Sequence, residues 1–191
     1  MTVQILRAAD RPATTWKNGG GETREIAAAP PGANLGTFDW RVSLATVAQA
    51  GPFSIFPGVD RTMMVLEGRL ELVFADGRRM VLDEAGAPEE FAADIAVRAT
   101  LPERPVTDLN VMVRRGVFTA SLARRAISGA AAVVCQDVTL LLCRSPAIVT
   151  MGVARHSLVT DDVVRVDAAR GAVARIQTTG EIAIAHLNAG G

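Results

Sequence analysis

Along this chain apolar residues recur at every second position in short runs, and Gly, Pro or Asp closes most of them. Successive side chains of a β-strand point to opposite faces, so this alternation predicts strands with one buried face. From Phe38 to Val47, Trp40, Val42 and Leu44 fall on one side, with Arg41, Ser43 and Ala45 on the other. Leu70, Leu72 and Phe74 oppose Arg69 and Glu71 in the same way. Between Val106 and Arg114 the two sets are Thr107, Leu109, Val111, Val113 and Asp108, Asn110, Met112, Arg114.

Further strands are predicted over Thr2 to Arg7, Thr23 to Ala28, Arg61 to Leu66, Arg79 to Leu82 and Phe91 to Ala99. Beyond Gly116 the pattern continues through Phe118 to Arg125, Ala130 to Cys135, Val138 to Arg144, Ala147 to Val153, Val163 to Val166, Val173 to Gln177 and Ile182 to Leu187. Asp76-Gly77 is a hairpin signal, Pro30-Pro31-Gly32 forces a turn, and the stretch from Gly51 to Gly58 is too proline-rich for a central strand. No heptad, solenoid period or low-complexity tract appears. So many short, turn-punctuated strands predict an all-β sandwich or barrel. No linker composition separates two modules, so any two halves are expected to be fused into one body.

Composition narrows the function. Hydrophobic residues make up 49% and charged residues 21%, an ordinary globular balance rather than a disordered one. Twenty Lys and Arg offset twenty Asp and Glu, so no bulk field draws nucleic acid or an anionic membrane. Tyr is absent and no basic cluster is interleaved with aromatics, which argues against a base-stacking platform. Cys135 and Cys143 sit in apolar runs and read as reduced core thiols. The first residues lack a signal-peptide pattern, and no apolar run approaches the ~20 residues of a membrane span, so a soluble, cytoplasmic protein is expected.

Candidate chemistry concentrates early in the chain. The eleven residues from Trp16 to Ile26 hold an aromatic, an amide, three consecutive glycines, a hydroxyl and several charges. Consecutive glycines mark either a loose turn or a close backbone approach. They do not form a phosphate loop, because no Gly-Lys-Ser/Thr follows and no Gly-X-Gly-X-X-Gly is present, although glycine N–H groups can still face an anion. Only His156 and His186 exist, with no His-X-His, so a transition-metal site is not expected. No Gly-X-Ser-X-Gly elbow occurs, and neither Cys has a nearby His. What remains is a polar set on apolar strands: Thr23, Arg24, Arg41, Ser43, Arg61, Asp108, Asn110 and Arg114. Each alone reads as part of a solvated face. Together they can line a barrel mouth, where guanidinium forks hold a carboxylate and Trp16 and Phe53 form walls.

The stretch Trp16-Lys17-Asn18-Gly19-Gly20-Gly21-Glu22-Thr23-Arg24-Glu25-Ile26 resembles the signature of the HutD/Ves family. The resemblance continues through Phe38-Asp39-Trp40-Arg41-Val42-Ser43, Gly51-Pro52-Phe53-Ser54, Phe56-Pro57-Gly58-Val59-Asp60-Arg61, Leu66-Glu67-Gly68 and Asp108 to Arg114. Departures are confined to loops, at Phe91-Ala92-Ala93-Asp94 and Leu101-Pro102-Glu103-Arg104. The resemblance implies a cupin-like (RmlC-like) jelly roll, a two-barrel bicupin in one compact unit spanning residues 2–188, with approximate halves 2–115 and 116–188.

It also implies an association with histidine utilisation and a regulatory role. Pro57-Gly58-Val59-Asp60-Arg61 stands where cupin metal ligands are expected, so no metal and no cofactor are expected. The implied partner is a small-molecule carboxylate of histidine breakdown, such as urocanate or a formylated glutamate. The candidate ligand-binding residues are Trp16, Asn18, Gly20, Thr23, Arg24, Arg41, Ser43, Arg61, Asp108 and Asn110, with Arg24, Arg41 and Arg61 as carboxylate clamps. The alternative is a metal-free isomerase, epimerase or hydrolase with Asp60, Asp108 or Glu25 as base. No catalytic residue is assigned under the binding reading. A homodimer is the assembly that the fold suggests.

Overall fold

The computed structural model of the chain describes residues 1–101 and 104–190; Pro102 and Glu103, within one of the departing loops, lie outside the described residues. Among the described residues the chain forms seventeen β-strands and one 3₁₀ turn, Ala8–Asp10. They divide into two units, Pro12–Thr119 and a second made of Met1–Arg11 with the chain from Ala120 onward.

Two antiparallel sheets build the unit Pro12–Thr119. The larger runs β2 (Thr14–Thr15), β3 (Gly21–Ala29), β4 (Trp40–Val47), β11 (Val106–Arg114), β6 (Val59–Glu67), β9 (Glu89–Ala92). The smaller runs β5 (Gly51–Pro52), β10 (Val97–Thr100), β7 (Arg69–Phe74), β8 (Arg79–Asp83). Met63 and Val65 from the first sheet, and Leu70, Leu72, Phe74 and Ala99 from the second, share one buried cluster. The sheets therefore close on each other as a jelly roll, with strands alternating between inner and outer faces. The strand expected over Phe91–Ala99 is split: Phe91 pairs with β6, Val97 pairs with β7, and a turn carries the chain between sheets at Ala93–Ile95. An apolar run alone does not reveal that it changes partners at a corner.

The second unit is a seven-strand sheet, β1 (Thr2–Leu6), β16 (Val163–Asp167), β13 (Val138–Cys143), β17 (Val173–Ala189), β14 (Ala147–Met151), β15 (Ala154–Leu158), with β12 (Phe118–Val134) also pairing β17. It wraps around its own cluster of buried residues, including Leu141, Val149, Ile176 and Ile182. Both thiols lie in that core and are unbridged, and burial pushes Cys143 up to about 12. β1 runs antiparallel to β16 from Thr2 opposite Asp167 to Leu6 opposite Val163. The chain's first strand thus belongs with its last strands, not with residues 12–115. Asp162, 1% exposed, anchors that start by accepting from Ala8 N (2.8 Å) and pairing with Arg7 (2.7 Å). β12 and β17 each merge two expected strands. In β17 the reason is that both flanks of Gly180 stay paired, Gln177 with β14 and Ile182 with β13.

Candidate functional site

Within Pro12–Thr119 lies a cavity of about 910 Å³, enough for a small-molecule ligand. Its wall is laid by β3, β4, β6 and β11, whose register sets three rows. Met112 stands opposite Arg61 on one side and Arg41 on the other. Asn110 is flanked by Met63 and Ser43, and Ser43 in turn faces Glu25. Asp108 lies between Val65 and Ala45, with Thr23 beyond. Because every second residue shares a face, one choice of face turns Arg41, Ser43, Asp108 and Asn110 inward together. Met63 and Val65 join the apolar cluster, and the remaining members of the rows line the cavity.

Arg61 is 7% exposed, and its guanidinium carbon stands 5.3, 5.5 and 5.9 Å from the rings of Phe53, Phe56 and Phe91. Aromatic faces attract a cation, but each contact returns only ~0.5–2 kcal/mol against the cost of dehydrating it. Burial accordingly lowers the Arg61 pKa to about 10; Asp108 opposes the shift and Arg41 adds to it. The side chain remains cationic at neutral pH. Its Nε is buried without a hydrogen-bond partner among the described residues. Arg41 is better supported: Nε donates to Glu25 Oε2 at 2.8 Å, and an η-nitrogen donates to Ser43 Oγ at 3.2 Å.

Asp108 is 0% exposed. Asn110 Nδ2 donates to its Oδ1, whereas Asp108 Oδ2 and Asn110 Oδ1 are buried acceptors with no partner among the described residues. Burial pushes Asp108 up to about 7, against the pull of Arg61 and of the Asn110 hydrogen bond. A carboxyl raised by folding binds its proton more tightly in the native state. Its stabilising share is therefore complete at acid pH and is lost as pH rises toward about 7. Between pH 5 and 8 the native protein should lose roughly 2 kcal/mol more than Asp108→Asn, read by urea unfolding at both pH values.

Trp16, Lys17 and Asn18 before the glycines, and Thr23 and Glu25 after them, line the cavity. Trp16 N donates to Gly21 O and Gly19 N to Trp16 O, both at 2.9 Å, closing a loop in which Gly19 takes φ +69°. Trp16 Nε1 donates to Thr23 Oγ1 at 2.8 Å, holding the ring at the cavity mouth, and Gly20 N donates to Asn18 Oδ1 at 3.0 Å. A Cβ on Gly21 would lie 2.3 Å from Thr46 O and 3.2 Å from the Trp16 ring. The glycine run is a close approach as well as a turn.

Of the ten residues marked from sequence, Trp16, Asn18, Thr23, Arg41, Ser43, Arg61, Asp108 and Asn110 line this cavity. Arg24 does not. It alternates to the other face of β3, opposite Leu44, and pairs with Glu22. Gly20 is buried, accepts from Ala48 N and Gln49 N, and borders a separate pocket of about 210 Å³ that also contains Arg98. Asp60 and Arg114 lie outside as well: Arg115 grips the Asp60 carboxylate at 2.6 Å, and Arg114 donates to the carbonyls of Phe38 and Gly36. Met112 and Phe56 went unmarked. The period-two step from Asp108 and Asn110 points to Met112, whereas Phe56 sits in a proline-flanked loop with no periodic signal.

Three cationic side chains, Lys17, Arg41 and Arg61, line the cavity beside two carboxylates, Glu25 and Asp108. The three cations outnumber the two carboxylates, so the wall favours an anion even with Asp108 ionised. The donors do not fit the transition-metal ion of metal-dependent cupins: among the described residues no imidazole or thiolate lines the cavity, and both carboxylates face arginines. Among the described residues no group of three or more His, Cys, Asp and Glu is placed to hold a metal. No helix among them is long and apolar enough to cross a membrane.

This is a cupin-like jelly roll whose cavity is lined by arginines, amides and hydroxyls. The chain belongs to the HutD family, whose model matches residues 8–184. It is 44% identical over 108 residues to Protein Ves of Citrobacter koseri, a match covering 54% of each chain. The chain spans about half the length of the curated relatives it matches. A conserved protein of unknown function from Pseudomonas aeruginosa PAO1 superposes with TM-score 0.90 at 26% identity, covering 98% of this chain and 100% of that one. HutD from Pseudomonas fluorescens SBW25, solved in a formate condition, superposes with TM-score 0.84 at 27% identity over 100% of both.

Proposed function

We propose that the chain binds a small carboxylate of histidine breakdown, of the urocanate or formylated-glutamate type, and acts as a metal-independent regulatory factor by sensing or buffering it. Membership of the HutD family supports the pathway. The observation that carries the ligand class is the row Arg61–Met112–Arg41: two like charges on the strands either side of β11, one of them buried without an ion pair among the described residues. A carboxylate entering between them offsets their repulsion and accepts from both forks.

A thermal-shift panel of urocanate, N-formylglutamate and related acids tests this reading. A ligand at a hundred times its Kd adds ~2.7 kcal/mol, which raises Tm by roughly 5–10 °C in a chain of this size. No shift with any acid at millimolar concentration would sink it. Asp108 supports a second reading, because a carboxyl that titrates near pH 7 is matched to general-base work. Product formed from a panel acid, and lost in Asp108→Asn, would favour that enzyme; binding without product is the expected result.

A further inference from the structure

Resting on the carboxylate reading, we propose that the acid this cavity selects also carries a neutral N–H donor, received at Asp108 Oδ2 beside Asn110 Oδ1. Buried polar atoms in folded proteins are paired in the great majority of cases, so orphans mark places where something else completes the bonding. Around this cavity most polar groups satisfy one another. Trp16 Nε1 bonds Thr23, and Arg41 bonds Glu25 and Ser43. The orphaned acceptors fall together, on the inward face of β11, within one hydrogen-bonded pair of side chains.

The chemistry of the missing partner follows from what is already present. With Asp108 ionised, both orphans on β11 are bare acceptors, so a second carboxylate oxygen placed there would meet acceptors only. A hydroxyl would bring lone pairs that need a donor of their own, and the nearest candidate, Arg61, is engaged by the carboxylate. An ammonium group would pair with Asp108 but be repelled by Arg41 and Arg61. A neutral amide or azole N–H meets none of these objections.

Position constrains the molecule further. Asp108 and Asn110 occupy the two rows beyond the arginine row, and successive rows on one face of a strand are roughly 7 Å apart. The donor therefore sits several bonds from the carboxylate that the arginines hold.

The test uses paired acids differing in that one group, titrated calorimetrically into the full chain. trans-Urocanate is compared with trans-3-(oxazol-5-yl)acrylate, which replaces the ring N–H by oxygen and keeps the second ring nitrogen. N-formyl-L-glutamate is compared with the formyl ester of 2-hydroxyglutarate. Loss of a hydrogen bond to a charged partner should weaken binding roughly ten- to hundredfold in at least one pair. The same preference should shrink in Asp108→Asn, with a melting curve confirming its fold. A preference below tenfold in both pairs overturns the N–H assignment while leaving the carboxylate reading standing. Failure of all four acids to bind overturns both.

Discussion

Replacing Arg61 with leucine is expected to remove carboxylate binding while leaving the unliganded protein as stable as before, or more so. The two effects separate because Arg61 is poorly supported by the fold and well placed for a ligand. Its guanidinium is buried, its Nε is unpartnered, and Arg41 lies across Met112 with the same charge. The favourable contacts it does make are with Phe53, Phe56 and Phe91, and leucine packs against the same rings without the dehydration cost. Replacing a whole buried ion pair by apolar residues has stabilised other proteins by ~1–4 kcal/mol, and Arg61 forms no hydrogen-bonded ion pair among the described residues that its loss would break. Asp108 loses an opposing cation in this variant, yet it can remain protonated over more of the pH range. Binding, in contrast, loses a charge-assisted fork, a cost of ~2–5 kcal/mol or roughly thirty- to several-thousandfold in Kd. Urea unfolding without ligand and calorimetry with a binding acid read the two effects separately. A variant that loses stability together with binding would show that Arg61 is a structural residue.

The second large effect concerns Gly21. Alanine there would place its Cβ 2.3 Å from Thr46 O, well inside any tolerated contact. Neither atom can move cheaply. Gly21 is paired with Val47 in the β3–β4 ladder, and its carbonyl accepts from Trp16 N. Opening the ladder should cost ~3 kcal/mol, the upper range for overpacking, and should displace the Trp16 ring that lies 3.2 Å away. Gly19→Ala is the natural comparison: nothing lies within 4 Å of its Cβ, so only its φ of +69° is penalised, by ~1 kcal/mol. Denaturant unfolding and tryptophan fluorescence should therefore separate the pair. Equal losses would mean that the glycines supply backbone freedom rather than close contact.

Much of this architecture is legible along the chain, and the failures have physical causes. Strands β4, β7 and β11 follow from alternation because one of their faces is continuously apolar. Phe91 to Ala99 misleads because an apolar run carries no mark where it leaves one sheet for another. Thr14–Thr15 and Ala154–Leu158 escape because short polar edge strands need little hydrophobic pattern. Arg24 and Thr23 are equally polar neighbours, yet the pleat sends one inward and the other outward, so composition cannot rank them. Gly20 looked like part of a ligand cradle, but its carbonyl is used within the fold.

The sequence by itself determined that the chain is all-β, that Gly19-Gly20-Gly21 offers a run of backbone without side chains, and that His156 and His186 are its two imidazoles, with no His-X-His. Each of these depends on local sterics, periodicity or the residue inventory, which are properties of the chain alone. Only the tertiary structure decided which face of β4 and β11 turns inward. Alternation divides a strand into two faces without saying which one the barrel encloses. The same holds for the row Arg61–Met112–Arg41: three residues far apart in sequence become neighbours through strand register, and only that neighbourhood turns scattered polar positions into an anion-favouring wall.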